Sequence, residues 1–211
     1  MNEHKETALK RYLLPTPAGA FYAIKSCSDD PISRYLRFLL SHAQTPLFVE
    51  GELRNQLSPD PVIAESALSQ IQSESLLKTL KSPILMPERA LEELLPRLLH
   101  KLAVGGKAIL SDEQGLYLAR SGFTHAVAEE LSALSANLLA TTQRYESLLH
   151  NNLGVQSAAW AVVDPTGNSE ISFWPLYFPR DRFTLILFGE PRLDVIEFTL
   201  LVSCLALRYN D

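Results

Sequence analysis

The stretch Lys107-Ala-Ile-Leu-Ser-Asp-Glu-Gln-Gly-Leu-Tyr-Leu-Ala-Arg-Ser-Gly-Phe123 predicts two short β-strands joined by a tight turn. Residues 108–110 form one apolar run, and residues 116–119 form the other. Gly115 lies between them and can adopt the positive φ that such a turn requires, while the side chain of Asp112 can accept hydrogen bonds from the backbone that follows. The stretch therefore predicts a β-hairpin, and it contains no recognisable catalytic motif.

A long helix is predicted directly after the hairpin, because residues 124–150 contain no Gly or Pro and are rich in Ala, Leu, Glu and Gln. Successive helical residues lie about 100° apart, which divides this segment into two packing faces. The face expected to lie on a sheet comprises Phe123, Val127, Leu131, Leu134, Leu138, Tyr145 and Leu149. The opposite face, small enough for a second helix to approach, comprises Ala126, Ala133, Ala136, Ala140 and Ser147. Alternatively, these alanines favour the helix and simply face solvent.

The 211 residues are 46% hydrophobic and 20% charged, a composition typical of a soluble globular chain of one or two domains. The first fourteen residues are mostly polar, so no signal peptide is predicted, and the apolar run 198–207 is shorter than the ~18 residues that span a bilayer. A cytoplasmic protein without membrane insertion is expected. Cys27 and Cys204 have no C-x-x-C spacing, so buried, reduced thiols are expected rather than a metal or redox site.

Residues 1–82 predict a small, mostly helical domain. An N-terminal arm is expected over residues 1–16 and a short strand over residues 18–25. The pairs Asp30-Pro31 and Asp60-Pro61 each place an acidic N-cap before a proline at the first helical position, which predicts two helix starts. The three helices expected in this part span residues 31–42, 48–57 and 62–80.

This order of elements is typical of a winged-helix module, whose third helix would enter a DNA groove. Lys78 is the only cation in residues 62–80, and residues 1–82 balance nine Lys or Arg against nine Asp or Glu. The whole chain carries a formal charge of −5. Because phosphate backbones are bound mainly by Lys and Arg, nucleic acid is not expected as a partner, and a winged-helix-like domain that contacts protein is predicted.

The Pro-bounded connector 81–87 predicts a boundary between a domain of residues 1–82 and a domain of residues 83–211. A helix is expected over residues 88–104, kinked or split at Pro96. Strands are expected at 156–163, 170–178 and 183–188, with Pro175 marking a bulge or a sheet edge, and a turn is expected at 164–168. A deeply covered helix is expected at 193–209. Trp160 and Trp174, on adjacent strands, are expected to pack across the sheet.

The second part thus reads as helix, two strands, long helix, three strands and helix, an α/β (α+β) arrangement with an antiparallel sheet. Residues 109–122 (ILSDEQGLYLARSG), followed by residues 130–138 (ELSALSANL), resemble the Roadblock / dynein light chain family. The resemblance covers roughly the last 120 residues of the chain. Pro175 departs from an ideal interior strand and puts the local ladder in doubt.

The resemblance implies a five-stranded, profilin-like antiparallel sheet between helices. It also implies a homodimer formed by pairing the long middle helices and the strands that follow them. The dimer-interface residues that the resemblance implies are Ala126, Ala133, Ala136, Ala140, Ser157, Ala159 and Ala161. Members of this family commonly serve as platforms for small Ras-like GTPases or as scaffolds in larger complexes, and they have no catalytic residue set and no cofactor.

Motifs for other chemistry are missing from the sequence. No G-x-x-x-x-G-K-[ST] loop occurs, the five histidines form no H-x-x-x-H pair, and no serine has the glycines of a nucleophile elbow. A homodimeric, non-enzymatic interaction protein that docks a small GTPase or a complex subunit is therefore predicted. The alternatives are a transcriptional regulator that dimerises two DNA-reading heads and a small-molecule sensor with a pocket beside the sheet. A hydrolase or transferase is the least favoured class.

Overall fold

The computed structural model describes residues 10–26, 29–49, 51–86, 91–155 and 157–209. The elements, in chain order, are β1 (Tyr12–Pro15), α1 (Pro17–Ile24), α2 (Pro31–Leu40), α3 (Glu52–Leu57), α4 (Pro61–Ser73), β2 (Leu77–Leu80), α5 (Leu91–Leu99), β3 (Ala108–Asp112), β4 (Tyr117–Ser121), α6 (His125–Arg144), a π-helix (Ser147–Asn152), β5 (Trp160–Val163), β6 (Ser169–Tyr177), β7 (Arg182–Phe188) and α7 (Ile196–Tyr209).

Five antiparallel strands form a sheet in the order β4-β3-β7-β6-β5, and helices cover both of its faces. Along β7, Leu185 and Leu187 lie in the core beneath α5 and α7, whereas Ile186 lies in the smaller core beneath α6. This is the alternation that a strand covered on both faces requires. The predicted fold class, an α+β chain with a five-stranded antiparallel sheet between helices, is confirmed.

The predicted β-hairpin forms from β3 and β4. Gly115 has a φ of +86°, and Asp112 Oδ1 accepts hydrogen bonds from the backbone N–H groups of Gln114 (3.0 Å) and Leu116 (2.9 Å). The long helix follows: α6 continues into the π-helix, and the chain leaves the helix at Gly154, whose φ is +66°. These elements depend on local sequence, and the sequence predicted them.

The face of α6 that lies on the sheet matches the predicted one only in part, because Leu131 and Leu138 pack against the core beneath α6 but the fully buried residues are others. Its buried residues are Ala128, Ser132, Ser135, Leu139 and Thr142. Val127, Leu134 and Tyr145, which were expected to lie against the sheet, are exposed. Successive helical residues lie about 100° apart, so the centre of the predicted apolar stripe lies roughly a quarter turn around the helix from the centre of the buried face. Part of the stripe is therefore on an exposed flank of α6. Small side chains bring the helix close enough for Ser135 Oγ to reach Ser111 Oγ on β3 at 2.8 Å, so compact polar groups occupy this contact.

Residues 18–25 form part of a helix and not the expected strand. Thr16 is the N-cap of α1, its Oγ1 accepts a hydrogen bond from the backbone N–H of Gly19 at 3.1 Å, and Pro17 occupies the first turn. This is the same cap-then-proline signal that correctly predicted the starts of α2 at Asp30 and α4 at Asp60. The sequence held the helix signal, and the apolar run was wrongly interpreted as a strand.

The predicted arm 1–16 and the predicted helix 62–80 both contain a strand instead. α4 ends at Ser73, and β2 pairs antiparallel with β1, with Pro15 opposite Leu77. Ser75 adopts a φ of +52° at the turn, and its carbonyl oxygen accepts a hydrogen bond from Thr16 Oγ1 at 2.8 Å. Pairing with a distant strand therefore overrides the helical periodicity of residues 76–80. Residues 1–9 of the arm lie outside the described residues.

The second helix is shorter than the expected span of 48–57. α3 begins at Glu52 after Gly51, whose φ is +97°. Phe48 donates its backbone N–H to the carbonyl oxygen of Arg11 at 2.7 Å, so this segment runs beside the N-terminal strand. The resulting order of elements is β1-α1-α2-α3-α4-β2, and the winged-helix assignment of residues 1–82 stays a prediction.

The N-terminal part packs directly on the C-terminal part. α1 and α2 contact α7, and the ring of Phe21 lies 6.4 Å from that of Phe198 and 6.1 Å from that of Trp174. One cluster of buried side chains contains residues of both parts. The connector is also anchored, because Met86 donates its backbone N–H to the carbonyl oxygen of Ala43 at 2.8 Å. The boundary at residues 82 and 83 stays a prediction, but the two parts share a core.

The remaining expectations concern prolines and cysteines. Pro96 lies inside α5, which is a single helix from Leu91 onward, while residues 88–90 of the expected helix lie outside the described residues. The expected deep burial of α7 is confirmed over residues 198–206, apart from the half-buried Leu200. Burial raises the pKa of the Cys204 thiol to about 11, so this thiol is a poor nucleophile. Cys27 lies outside the described residues.

Candidate interaction surface

The strand β5 forms one edge of the five-stranded sheet, and all four of its residues are exposed. Val162 and Val163 keep 53% and 54% of their surface in contact with solvent, and Trp160 keeps 39%. An apolar edge strand with open backbone groups is a template for pairing with another chain. The sheet therefore has an unprotected side at β5.

Pro175 explains why β5 is so short. The carbonyl oxygen of Glu170 accepts a hydrogen bond from the backbone N–H of Gly189, just beyond β7. In the antiparallel register, even-numbered residues of β6 therefore direct their backbone N–H and C=O groups toward β7. Odd-numbered residues of β6 direct theirs toward β5. The ladder with β5 ends where Trp160 pairs with Phe173, two residues before Pro175. The proline thus lacks its N–H at a point where β5 is no longer paired with β6, although β6 itself is an interior strand of the sheet.

The same register fixes the open backbone groups of β5. Trp160 and Val162 pair with Phe173 and Ile171, so they direct their backbone groups toward β6. The backbone N–H and C=O of Ala161, between them, point away from the sheet. A further strand could therefore hydrogen-bond to β5 at Ala161.

An exposed apolar flank of α6 adjoins this edge. Trp160 Nε1 donates a hydrogen bond to Thr142 Oγ1 at 2.6 Å, which ties β5 to the C-terminal half of α6. On the flank nearest this contact, Val127, Leu134 and Tyr145 are exposed, and Leu131 and Leu138 are half-buried. We call the surface formed by Val127, Leu134, Tyr145, Trp160, Ala161 and Val162 the α6–β5 surface. Exposed apolar side chains on two elements joined in this way are typical of a protein contact.

The residues predicted for the dimer interface lie in two groups. Ala126, Ala133 and Ala140 are exposed and Ala136 is half-buried, all on the other flank of α6. Ser157 and Ala161 are exposed and Ala159 is half-buried, at and before β5. The hairpin turn lies over part of the alanine flank, because a Cβ on Gly115 would come within 3.1 Å of Ala133 Cα.

Sequence reasoning missed Val127, Leu134, Tyr145, Trp160 and Val162 as candidate contact residues. The helical signal for the first three was present, since they belong to the apolar stripe at 3.6-residue spacing. The stripe was attributed to the sheet contact, and nothing local distinguishes an apolar flank that faces a sheet from one that faces solvent. The seven predicted interface residues themselves stay a prediction.

The two tryptophans do not pack against each other as expected. Trp160 lies on the α6 side of the sheet, where it reaches Thr142. Trp174 lies on the opposite side, where its ring meets Phe21 edge-on and its Nε1 donates to Ser172 Oγ at 2.8 Å. Trp160 is instead paired across the ladder with Phe173. Because successive side chains along a strand point to opposite faces, Trp174, the next residue of β6, points away from Trp160.

The turn from β5 to β6 is organised by one carboxylate. Asp164 Oδ1 accepts hydrogen bonds from Thr166 N (2.8 Å), Thr166 Oγ1 (2.7 Å) and Asn168 N (3.0 Å), and Oδ2 accepts from Asn168 Nδ2 (3.2 Å). The hydroxyl of Thr166, followed by the amides of Asn168, lowers the pKa of Asp164 to about 2. This turn holds one end of the exposed edge strand.

We expect the NMR chemical shifts of the backbone amide protons of Thr166 and Asn168 to change together with pH, with a midpoint near pH 2, as the Asp164 carboxylate is protonated. The folded pKa of Asp164 lies below the ordinary value of 3.8, so the stabilisation by the carboxylate is complete above that pH and is lost as the pH falls through about 2. Asp164→Asn should abolish this titration and speed hydrogen exchange at Gly167. A midpoint near 3.8 would contradict the hydrogen-bond network.

No assembled catalytic or metal site is seen in the described part of the chain. Tyr117 Oη lies 2.6 Å from His125 Nδ1, and His125 Nε2 lies 3.4 Å from Glu129 Oε1, but the His125 and Glu129 side chains are more than half exposed. No cluster of three or more His, Cys, Asp or Glu suited to a metal ion occurs among the described residues. In the same residues, no helix combines the length and apolarity needed to cross a membrane.

No protein-family model matches the chain, and no curated protein matches it in sequence. Among solved structures, a crystal structure of a Roadblock/LC7 domain from Streptomyces avermitilis is similar, with 15% identity and a TM-score of 0.39. The match covers 56% of this chain and 95% of that domain. The fold class follows from the sheet order and the helix placement described above.

Proposed function

We propose that this protein is a non-enzymatic, homodimeric interaction protein that associates through the α6–β5 surface. The observation that carries the proposal is the exposed edge strand β5, whose residues Trp160, Ala161, Val162 and Val163 are all apolar. A two-fold dimer would pair β5 with its copy and would cover the flank of α6 at the same time. Both parts of the surface would be buried in one contact, and the open sheet edge would disappear.

The position of the N-terminal part supports this choice of surface. α1 and α2 contact α7, which covers the opposite face of the sheet from α6. A partner therefore has access to the α6 side, while part of the other side is already occupied within the chain. The core beneath α6 is also the smaller one, with Leu131 and Leu138 only partly buried at its rim. A second copy would complete the burial of these side chains.

The test is the oligomeric state of the full chain in solution. Sedimentation equilibrium should give twice the monomer mass for the wild type. Val162→Glu should yield monomers, because a two-fold contact would place two like charges close together, which costs several kcal/mol and weakens association about a hundredfold or more. Leu134→Glu tests the helical half of the surface and should act in the same direction.

The matched control is Val62→Glu, which introduces the same change at a residue that is 78% exposed at the start of α4. This variant should remain dimeric. A monomeric wild type at concentrations of tens of micromolar would refute the proposal, as would a Val162→Glu variant that dimerises as well as the wild type.

For the partner class, we propose a small Ras-like GTPase or a subunit of a larger complex, on the basis of the sequence resemblance to the Roadblock family. The full chain should be immobilised and exposed to lysate of the native host in the presence of GDP or of a non-hydrolysable GTP analogue. Capture of one GTPase in one nucleotide state, reproduced with the purified GTPase, is expected. Equal capture in both states, or none, would oppose a nucleotide-dependent platform.

DNA binding is the weaker alternative. The helix α4 occupies the position of the third predicted helix, and its sequence PVIAESALSQIQS contains no Lys or Arg. Because neutralisation of phosphates supplies much of the affinity for DNA, this helix is poorly suited to enter a groove. Salt-dependent binding of duplex DNA by the full chain would revive the alternative.

A further inference from the structure

A cleft lies at the junction of the N-terminal and C-terminal parts, beside the C-terminal end of α6. Its volume is about 100 Å³, and it contains room for several water-sized groups. Among the described residues, it is lined by Lys25, Ser26, Thr142, Gln143, Glu146, His150, Ala158, Tyr177 and Arg182. The N-terminal part contributes the two residues that follow α1, and the C-terminal part contributes α6, the π-helix and the adjoining ends of β6 and β7.

Cationic side chains from both parts meet at this cleft. Lys25 follows the last residue of α1, and Arg182 is the first residue of β7. Lys25 Nζ lies 3.7 Å from the centre of the Tyr22 ring, a cation–π contact that orients the ammonium group without neutralising it. Neither Lys25 nor Arg182 forms an ion pair with a described residue. Two positive charges thus lie at one cleft without an ion pair to a described carboxylate, in a chain whose net charge is −5.

A continuous helical surface supplies the opposite wall. Thr142, Glu146 and His150 are spaced four residues apart, so they lie on one face of α6 and its π-helical continuation. Gln143 adds an amide that can donate a hydrogen bond. Glu146 is the one acidic side chain in the lining, and it is exposed, so it can turn toward solvent. π-helical turns within helices occur frequently at functional sites.

We propose that this cleft binds a small oxyanion, a carboxylate or a phosphate group, held between Lys25 of the N-terminal part and Arg182 of the C-terminal part. The guanidinium of Arg182 can present two parallel N–H groups to such an anion, and Lys25 supplies a point charge from the other side. His150 and Gln143 supply further donors from the helical wall. A carboxylate or phosphate matches the small volume of the cleft, whereas a larger ligand would extend beyond the described lining.

Anion binding at this place would couple the two parts of the chain to the proposed dimer surface. Thr142 belongs to the cleft lining, and its Oγ1 accepts the hydrogen bond from Trp160 Nε1 on β5. Ala158, also in the lining, lies two residues before β5. A bound anion would therefore stiffen the connection between α1, α6 and the start of the edge strand.

The test uses inorganic phosphate and acetate as probes, titrated into the full chain by isothermal calorimetry at ionic strength matched with sodium chloride. Saturable binding of at least one probe is expected, together with a rise in melting temperature that chloride does not produce. Phosphate alone, acetate alone or both would identify the class of anion. Arg182→Gln and Lys25→Gln should each weaken binding about tenfold or more, because each removes a charge-assisted hydrogen bond.

The control is Arg180→Gln, which removes an exposed cation from the same β6–β7 turn but lies outside the cleft lining. It should bind the probe like the wild type. Lys25 is exposed, so Lys25→Gln leaves the fold intact even if Arg182→Gln does not. The site would be overturned if neither probe binds saturably, or if Lys25→Gln binds as tightly as Arg180→Gln. The monomeric Val162→Glu variant should still bind, which separates this site from the dimer proposal.

Discussion

Gly19→Ala is expected to destabilise the protein by about 3 kcal/mol, the upper range for an overpacked core. Gly19 lies buried in α1, and a Cβ at this position would lie 2.0 Å from the carbonyl oxygen of Leu76 and 3.0 Å from its carbonyl carbon. These are backbone atoms of the turn before β2, so no side-chain rotation relieves the overlap. The same carbonyl oxygen accepts a hydrogen bond from the backbone N–H of Thr16 at 3.0 Å. Moving it would disturb the start of α1 and the β1–β2 pair together.

Helix propensity acts in the opposite direction, since alanine is about 1 kcal/mol better than glycine inside a helix. The reverse change Ala18→Gly, at the exposed neighbouring residue, isolates that contribution and should cost about 1 kcal/mol. Chemical denaturation of both variants measures the difference in unfolding free energy. If Gly19→Ala were as stable as the wild type, α1 would not approach β2 as closely as described.

Phe198→Ala is expected to cost about 3–5 kcal/mol, the range for deletion of a large buried aromatic side chain. The side chain is 0% exposed, and it lies in α7 next to Phe21 of the N-terminal part. Since a whole domain is stable by only about 5–15 kcal/mol, this loss is a large share of the total. The matched control on the same helix is Leu207→Ala, because Leu207 is 41% exposed and should cost much less.

The joint core also predicts how unfolding proceeds. Tryptophan fluorescence reports on Trp160 and on Trp174, which contacts Phe21 of the N-terminal part, while far-ultraviolet circular dichroism reports on all helices. The two signals should change at one denaturant concentration in the wild type, and both midpoints should shift together in Phe198→Ala. Two separate transitions would show that residues 1–82 and 83–211 fold independently.

Several elements could be predicted because their causes are local. Asp30 and Asp60 cap α2 and α4 ahead of a proline, and their side chains accept the backbone hydrogen bonds expected of an N-cap. Gly115 and Asp112 form the hairpin turn with the conformation that their chemistry favours. The start of α1 follows the same rule, because Thr16 is its N-cap and Pro17 lies in its first turn. The signal for a helix was therefore present in the sequence where a strand was predicted.

The strand β2 could not be predicted in this way. Leu76, Leu77 and Leu80 continue the apolar spacing of α4, and only pairing with β1, some sixty residues earlier, makes residues 77–80 a strand. The candidate interaction surface shows the same limit. Helical spacing identified the apolar stripe of α6, including Leu134, but spacing contains no information about which neighbour covers it.

The sequence by itself therefore determined the hairpin, the long helix, the order of the five strands after residue 107 and the lack of recognisable catalytic motifs, because turns, caps and alternation depend on neighbouring residues. The tertiary structure decided which side of α6 meets the sheet. Ser132 and Ser135, small enough for a close approach, turn inward, and Leu134 is left on an exposed flank. It also decided that Lys25, directly after α1, lines the same cleft as Arg182, since contacts between distant segments depend on the packing of the whole chain.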